Sequence, residues 1–124
     1  MAESTHDYTL LKADRLIDGS NGPIIEGAAL LISGDEVVAM GRQADVRAPD
    51  AASVQEIEYG EATILPGLVD CHTHLCAPGD GTPGDEISKE DHQILLLQAA
   101  KNARTILHSG VTTIRENGAA GSTT

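Results

Sequence analysis

The spacing of apolar side chains divides the chain into two halves with different predicted structure. Short apolar runs separated by turn residues fill the first half, where Val54 to Tyr59 alternates between apolar and polar positions. That alternation predicts a half-buried strand. The runs Ala28 to Ile32 and Glu36 to Met40 are joined by Ser33-Gly34-Asp35, whose glycine suits a tight turn, so they predict a β-hairpin. We therefore predict a small antiparallel β unit.

The second half, from Thr63 onward, has the pattern of one β-α-β unit. Leu68 to His72 and Val111 to Ile114 are short, mostly apolar runs typical of parallel strands. Between them we predict a helix over Ser88 to Ser109, capped by Ser88 with Asp91 and ended by Gly110. Its predicted apolar face has members spaced by three and four residues: Leu96, Ala99, Ala100, Ala103, Ile106 and Leu107.

A polar segment, Cys76 to Ile87, separates the first of these strands from the helix. It consists mainly of Gly, Pro, Asp and Thr. A segment of this length without secondary structure is usually functional or mobile. Two parallel strands also cannot cover their own faces. We therefore expect the segment to be a mobile loop and the chain to be part of a longer protein.

Charge and composition narrow the classes of partner. The chain has 8 Lys and Arg against 19 Asp and Glu, a net charge of −11. This charge repels phosphate backbones and anionic membrane surfaces, so we expect neither nucleic acid nor membrane as a partner. Cys71 and Cys76 are too few for a disulfide framework, and the first residues lack the features of a signal peptide. These features favour a cytoplasmic protein with reduced thiols.

His72 and His74 are the candidate metal ligands. Side chains two apart on a strand point to the same side, and neutral imidazoles bind Zn, Ni, Fe and Co. Two histidines at this spacing alone are more often ordinary surface or core residues. Here the pair lies where an apolar strand opens into a polar loop, the strand end at which parallel sheets and barrels carry their sites. By contrast, His92, His108 and Cys76 are interpreted as exposed or packed side chains.

Two motifs resemble those of the amidohydrolase superfamily. Ile64-Leu65-Pro66-Gly67-Leu68-Val69-Asp70-Cys71-His72-Thr73-His74-Leu75 resembles the Pro-Gly-hydrophobic-hydrophobic-Asp-X-His-X-His run that forms the first strand of its metal-binding barrel. The segment from His108 to Arg115 resembles the Gly-X-Thr-Thr-hydrophobic-Arg second strand of members close to imidazolonepropionase and to Xaa-Pro and Xaa-Arg dipeptidases. The first half resembles part of the small β-sandwich that these enzymes carry beside the barrel.

The resemblance implies an α/β fold in two parts. Residues 1–65 would form an N-terminal β-sandwich segment, and residues 66–124 the start of a (β/α)8 TIM barrel that ends after its second strand. It also implies a metal-dependent hydrolase that acts on amide, peptide or cyclic amide bonds through water activated by one or two divalent ions, with zinc the first choice. His72 and His74 would be the first two ligands.

Other site residues follow less directly from the resemblance. Arg115, Glu116 and Asn117 lie at the end of the second strand, where a substrate contact would be placed, with a solvated strand end as the equal alternative. Of these, Arg115 is the candidate contact for a small-molecule or peptide substrate. The remaining ligands and the catalytic Asp come from later strands in the family, so we assign no catalytic residue and expect the 124-residue chain alone to be inactive. A homo-oligomer is compatible with the complete protein.

Two rival interpretations come from other classes of protein. The first is a small non-catalytic metal-binding module. The second is a cupin-like β-barrel that uses the His-X-His pair, and the helix predicted over Ser88 to Ser109 conflicts with it.

Overall fold

Residues 6 to 118, which the computed structural model describes, divide into two compact units between Pro66 and Gly67. The first unit contains only strands, and the second contains two strands and two helices. The strands of the first unit are β1 (Tyr8–Leu16), β2 (Ile25–Ser33), β3 (Glu36–Arg42), β4 (Val54–Glu58) and β5 (Thr63–Ile64). The second unit contains β6 (Leu68–Thr73), α1 (Gly84–Ile87), α2 (His92–His108) and β7 (Val111–Glu116). The predicted α/β class is confirmed.

The first unit is one sheet in the order β3-β2-β1-β4, with β5 also paired to β1. The predicted hairpin is confirmed, since β2 and β3 pair antiparallel around Gly34, which has a φ of +60°. The prediction of a wholly antiparallel unit is wrong, because β4 and β5 both run parallel to β1. The connection over residues 43 to 53 returns the chain to the starting end of β1, which a parallel pairing requires.

The core of the first unit is made of small and aliphatic side chains. Leu10, Ala29, Leu31 and Val46 are buried together, and Tyr8 and Val54 pack against them. With no Phe or Trp in the chain, the sheet depends on closely packed aliphatic residues for its stability.

The second unit is the predicted β-α-β arrangement. β6 and β7 pair in parallel, and α2 connects them. Gly110, with a φ of +93°, follows the end of α2 as expected. The predicted helix start is wrong, because Asp91 is the N-cap and its side chain accepts a hydrogen bond from the Gln93 amide at 2.9 Å. The Ser88 hydroxyl instead donates to the carbonyl of Asp85 in α1.

The buried face of α2 matches the predicted face only in part, because Ala99 was predicted and is buried but Leu95 was not predicted. Leu95 and Ala99 are buried with Cys76, while Leu96 and Leu107 are 58% and 60% exposed. The run Ile94-Leu95-Leu96-Leu97 supplies an apolar residue to every side of the helix. Periodicity alone therefore could not select the buried face, which is determined by contact with the segment that precedes α2.

That segment, Cys76 to Ile87, is partly ordered, contrary to prediction. Its last four residues form α1, and both ends pack against the cluster around Leu95 and Ala99. In its middle, the Asp80 carboxylate accepts hydrogen bonds from the hydroxyl and the amide of Thr82, and these bonds lower the pKa of Asp80 below its ordinary value.

Within residues 6 to 118, no helix has both the length and the apolar character needed to cross a bilayer.

Candidate metal centre

The imidazole rings of His72 and His74 converge at the end of β6. Their Nε2 atoms lie 3.2 Å apart, and the ring centroids are 5.1 Å apart with an interplanar angle of 71°. His72 lies in β6, and His74 follows Thr73, the last residue of that strand. The rings also remain exposed, so a ligand can reach them from solvent.

The separation of the two nitrogens suits a shared metal ion. A tetrahedral zinc ion with Zn–N bonds of about 2.0–2.1 Å would hold two ligand nitrogens about 3.3 Å apart. The observed 3.2 Å therefore requires almost no movement of either ring. Without an ion, the same distance allows an N–H···N hydrogen bond between them. The donor set and its spacing thus fit a divalent ion that prefers imidazole ligands.

The other nitrogen of His74 determines which tautomer this ring adopts. Nδ1 of His74 lies 3.2 Å from the carbonyl oxygen of Gly118. Because a carbonyl oxygen only accepts hydrogen bonds, Nδ1 must carry the proton in this contact. The lone pair then lies on Nε2, the atom that faces His72. A partner on the opposite ring nitrogen is the usual means by which proteins orient metal-binding histidines.

The carboxylate of Glu116, on β7, is partly buried and holds the backbone around His74. Glu116 accepts a hydrogen bond from the Leu75 amide at 2.7 Å and another from the Gly118 amide at 2.9 Å. Its Oε1 atom also lies 3.7 Å from Nδ1 of His74. Glu116 therefore connects the residue after His74 to the residue whose carbonyl faces the His74 ring.

A side chain of α2 holds the same segment from another side. The Asn102 amide group donates to the carbonyls of Leu75 and Ala77, each at 2.7 Å, and its oxygen accepts from Gln98 at 2.9 Å. Sequence reasoning missed Asn102. The available signal was its position three residues after Ala99, on the side of α2 that proves to be buried.

Asp70 acts on the backbone of β6. Its Oδ1 atom accepts a hydrogen bond from the His72 amide at 3.0 Å, and this bond is the main reason that the pKa of Asp70 lies below its ordinary value. The nearby Thr73 hydroxyl contributes in the same direction. Asp70 thus acts on the backbone, whereas the contact of the His74 ring is with the Gly118 carbonyl.

The other candidate residues lie outside this pair. Arg115 is exposed on β7, His92 and His108 are exposed at the two ends of α2, and Cys76 is buried. Across residues 6 to 118, no three His, Cys, Asp or Glu side chains are grouped so that they could hold a metal ion. A cleft of about 360 Å³ opens beside His74 and is also lined by Thr82, Ile87 and Gly118.

Comparison of the sequence with known proteins gives relatives described as imidazolonepropionases. No family model matches the chain. The chain is 31% identical to an imidazolonepropionase of Yersinia pseudotuberculosis, over 77% of its own length and 29% of the relative. It is 35% identical to an imidazolonepropionase of Yersinia pestis, over 62% of its own length and 17% of the relative. The chain thus spans less than a third of the length of the curated relatives it matches.

Comparison with solved structures finds proteins that share the fold of this chain. Aspergillus niger ochratoxinase superposes with a TM-score of 0.74 at 26% identity, over 91% of this chain and 26% of that protein. A protein described as an amidohydrolase superposes with a TM-score of 0.73 at 25% identity, over 92% of this chain and 26% of the other. The fold is also shared with a Xaa-Pro dipeptidase, with a TM-score of 0.66 at 24% identity over 90% and 26%.

Proposed function

Because this chain belongs to the amidohydrolase superfamily, we propose that it carries part of the metal centre of a hydrolase that cleaves carbon–nitrogen bonds. His72 and His74 would hold one divalent ion through their Nε2 atoms, and zinc is the ion that best suits this pair. Such an ion, when bound, supplies an activated water for attack on the carbonyl of an amide, peptide or cyclic amide. The complete protein would use one or two ions.

One observation carries this proposal, namely that the two Nε2 atoms lie 3.2 Å apart. The contact between Nδ1 of His74 and the Gly118 carbonyl adds to it, because it leaves Nε2 of His74 with a lone pair for a metal. An ordinary surface pair of histidines needs neither feature.

The chain also supplies space for a substrate. The cleft of about 360 Å³ beside His74 is in the range of small-ligand sites. We assign the substrate to small molecules or short peptides. Arg115, exposed on β7, is our proposed substrate contact, since a guanidinium group pairs well with a carboxylate. No residue of this chain is assigned as catalytic acid or base. We propose a cytoplasmic location, which a chain with too few cysteines for a disulfide framework favours.

The second candidate function is a non-catalytic zinc-binding module. The observation that favours it is that the residues from 6 to 118 bring together only the two histidines as metal ligands. The gene sequence beyond the codon for Thr124 separates the two functions. An open frame of hundreds of codons supports the hydrolase, whereas a stop codon supports the module.

The test of the hydrolase proposal uses the complete protein that the gene encodes. Metal content is measured by mass spectrometry, and hydrolysis is measured on dipeptides, N-acyl amino acids and cyclic amides. His72→Ala and His74→Ala should each lose the bound metal and nearly all turnover, whereas His92→Ala, which removes an exposed histidine of α2, should keep both. A His74→Ala protein with full metal content and normal turnover would refute the proposal.

A further inference from the structure

Leu75, the residue that follows His74, has both of its backbone groups bound by side chains from other elements. Its amide donates to the Glu116 carboxylate on β7, and its carbonyl accepts from the Asn102 amide group on α2, each at 2.7 Å. The two peptide groups that flank the Leu75 Cα atom are therefore each held by a side chain from another element.

We propose that Glu116 is a positioning residue that sets the orientation and tautomer of His74 for metal binding. This inference rests on the proposed function, since it names the residue that prepares one of the two ligands. The carboxylate need not touch the metal or the substrate.

The two oxygens of Glu116 accept hydrogen bonds from different backbone amides. Oε2 accepts from the Leu75 amide and fixes the backbone on one side of His74. Oε1 accepts from the amide of Gly118, the residue whose carbonyl faces Nδ1 of His74. One side chain thus controls both the backbone that carries the ring and the acceptor that receives the ring proton.

A carboxylate suits these tasks better than its closest substitutes. Glutamate offers two acceptor oxygens, whereas glutamine offers one oxygen and an amino group that only donates. Glu116→Gln would therefore leave the Leu75 or the Gly118 amide facing another donor. The Glu116 side chain is only 14% exposed, so water replaces the lost partner poorly. Aspartate keeps both oxygens, but it is one methylene shorter and cannot span the two amides equally well.

Asn102 completes the arrangement from the helix. Its two bonds to the Leu75 and Ala77 carbonyls hold the segment that leaves the metal pair, and Gln98 orients the Asn102 side chain. Asn102 acts only on the backbone after His74, whereas Glu116 also acts on the acceptor of the ring proton. Loss of Asn102 should thus move His74 without favouring the other tautomer.

The test measures the His74 tautomer directly in the 124-residue chain. Nitrogen-15 NMR of chain labelled at histidine, recorded without metal well above the ordinary histidine pKa of about 6.5, distinguishes a proton on Nδ1 from one on Nε2. We expect His74 to carry its proton on Nδ1 in the unaltered chain and to shift toward a mixture in Glu116→Gln. Glu61→Gln, the same change at an exposed residue of the first unit, should leave the tautomer unchanged.

Zinc titration of the same resonances gives a second readout. Glu116→Gln should weaken zinc binding about 10- to 100-fold, the usual effect of losing a group that orients a metal ligand. Glu116→Asp should recover part of that loss. An unaltered chain with its His74 proton on Nε2, or a folded Glu116→Gln chain with an unchanged tautomer and zinc affinity, would overturn the inference. The tautomer of His74 is measured in the unaltered chain, so the inference can be refuted even if Glu116→Gln fails to fold. Failure of the proposed function is separate, because it would appear as metal retained in His74→Ala.

Discussion

The side chain of Thr112 occupies the space in which a Cβ atom of residue 67 would lie. A Cβ atom built on Gly67 would be 2.6 Å from the Thr112 Cβ, and nearer still to its hydroxyl oxygen and methyl carbon. The start of β6 and the start of β7 therefore approach so closely that only glycine fits at position 67. This contact gives a structural reason for the glycine in the Pro66-Gly67 motif.

Gly67→Ala should destabilise the second unit by about 1–3 kcal/mol, the usual cost of forcing extra atoms into a filled space. All helix within residues 6 to 118 lies in the second unit, so the helical circular dichroism signal during thermal unfolding reports on it. Gly84→Ala is the matched control, because nothing lies within 4 Å of a Cβ atom at that position. An unchanged melting temperature in Gly67→Ala would contradict the close approach.

The buried face of α2 is tested by comparing neighbouring leucines. Leu95→Ala should cost about 2–5 kcal/mol because it removes a buried side chain. Leu96→Ala should change the free energy of unfolding by less than about 0.5 kcal/mol, since Leu96 is 58% exposed. Leu96→Asp should likewise leave the melting temperature of the 124-residue chain nearly unchanged. If Leu95→Ala and Leu96→Ala lowered the free energy of unfolding equally, Leu95 would not lie on the buried face of α2.

The start of α2 is tested at its N-cap. Asp91→Ala removes the acceptor of the Gln93 amide and should destabilise the helix by about 0.5–2 kcal/mol. Ser88→Ala serves as the comparison and should have a smaller effect, because the Ser88 hydroxyl bonds only to the Asp85 carbonyl. Chemical denaturation followed by circular dichroism measures both. A larger loss for Ser88→Ala would restore Ser88 as the helix cap.

The segment Cys76 to Ile87 should show graded hydrogen exchange. The amides of Ile87 and Ser88 bond to the carbonyls of Pro83 and Gly84 at 3.1 and 3.0 Å, so they should exchange slowly. Exchange around Gly79 and Gly81 should be fast, because both lie outside helix and strand and nothing lies within 4 Å of a Cβ atom at either position. Residue-resolved exchange by NMR is the measurement, and uniform rates along the segment would contradict the ordering at its end.

The 124-residue chain should bind zinc weakly and lose it to a mild chelator. Two imidazoles fill only half of a tetrahedral shell, and water must supply the remaining positions. Calorimetry should detect binding in the unaltered chain and in His92→Ala, and none at the site in His72→Ala or His74→Ala. Tight binding that survives the chelator would show that the chain holds further ligands.

Features that depend on neighbouring residues in sequence were predicted well. The β2–β3 hairpin and the end of α2 follow from Gly34 and Gly110, whose positive φ angles the turns require. The start of α2 was misplaced because Ser88 and Asp91 are both good capping residues, and only the path of the chain selects one. Pairing of β4 and β5 with β1 was missed because strand direction depends on the connections between strands.

The two histidines could likewise be predicted from neighbouring residues, whereas the side chains that hold them, Glu116 and Asn102, could not. His72 and His74 are two residues apart, so the period of a strand was enough to predict that their rings converge. Glu116 lies 41 residues after the Leu75 amide that it accepts from, and Asn102 lies 27 residues after the Leu75 carbonyl. No local pattern predicts contacts over such distances.

These separations also determine when the site can form during synthesis of the protein. His72 and His74 leave the ribosome together, but the carbonyl that receives the His74 ring proton belongs to Gly118, 44 residues later. Until β7 has joined β6, the His74 ring is free to rotate and to exchange tautomers. A nascent chain can therefore meet metal ions early, but it can hold one in the final geometry only after its β-α-β unit has closed.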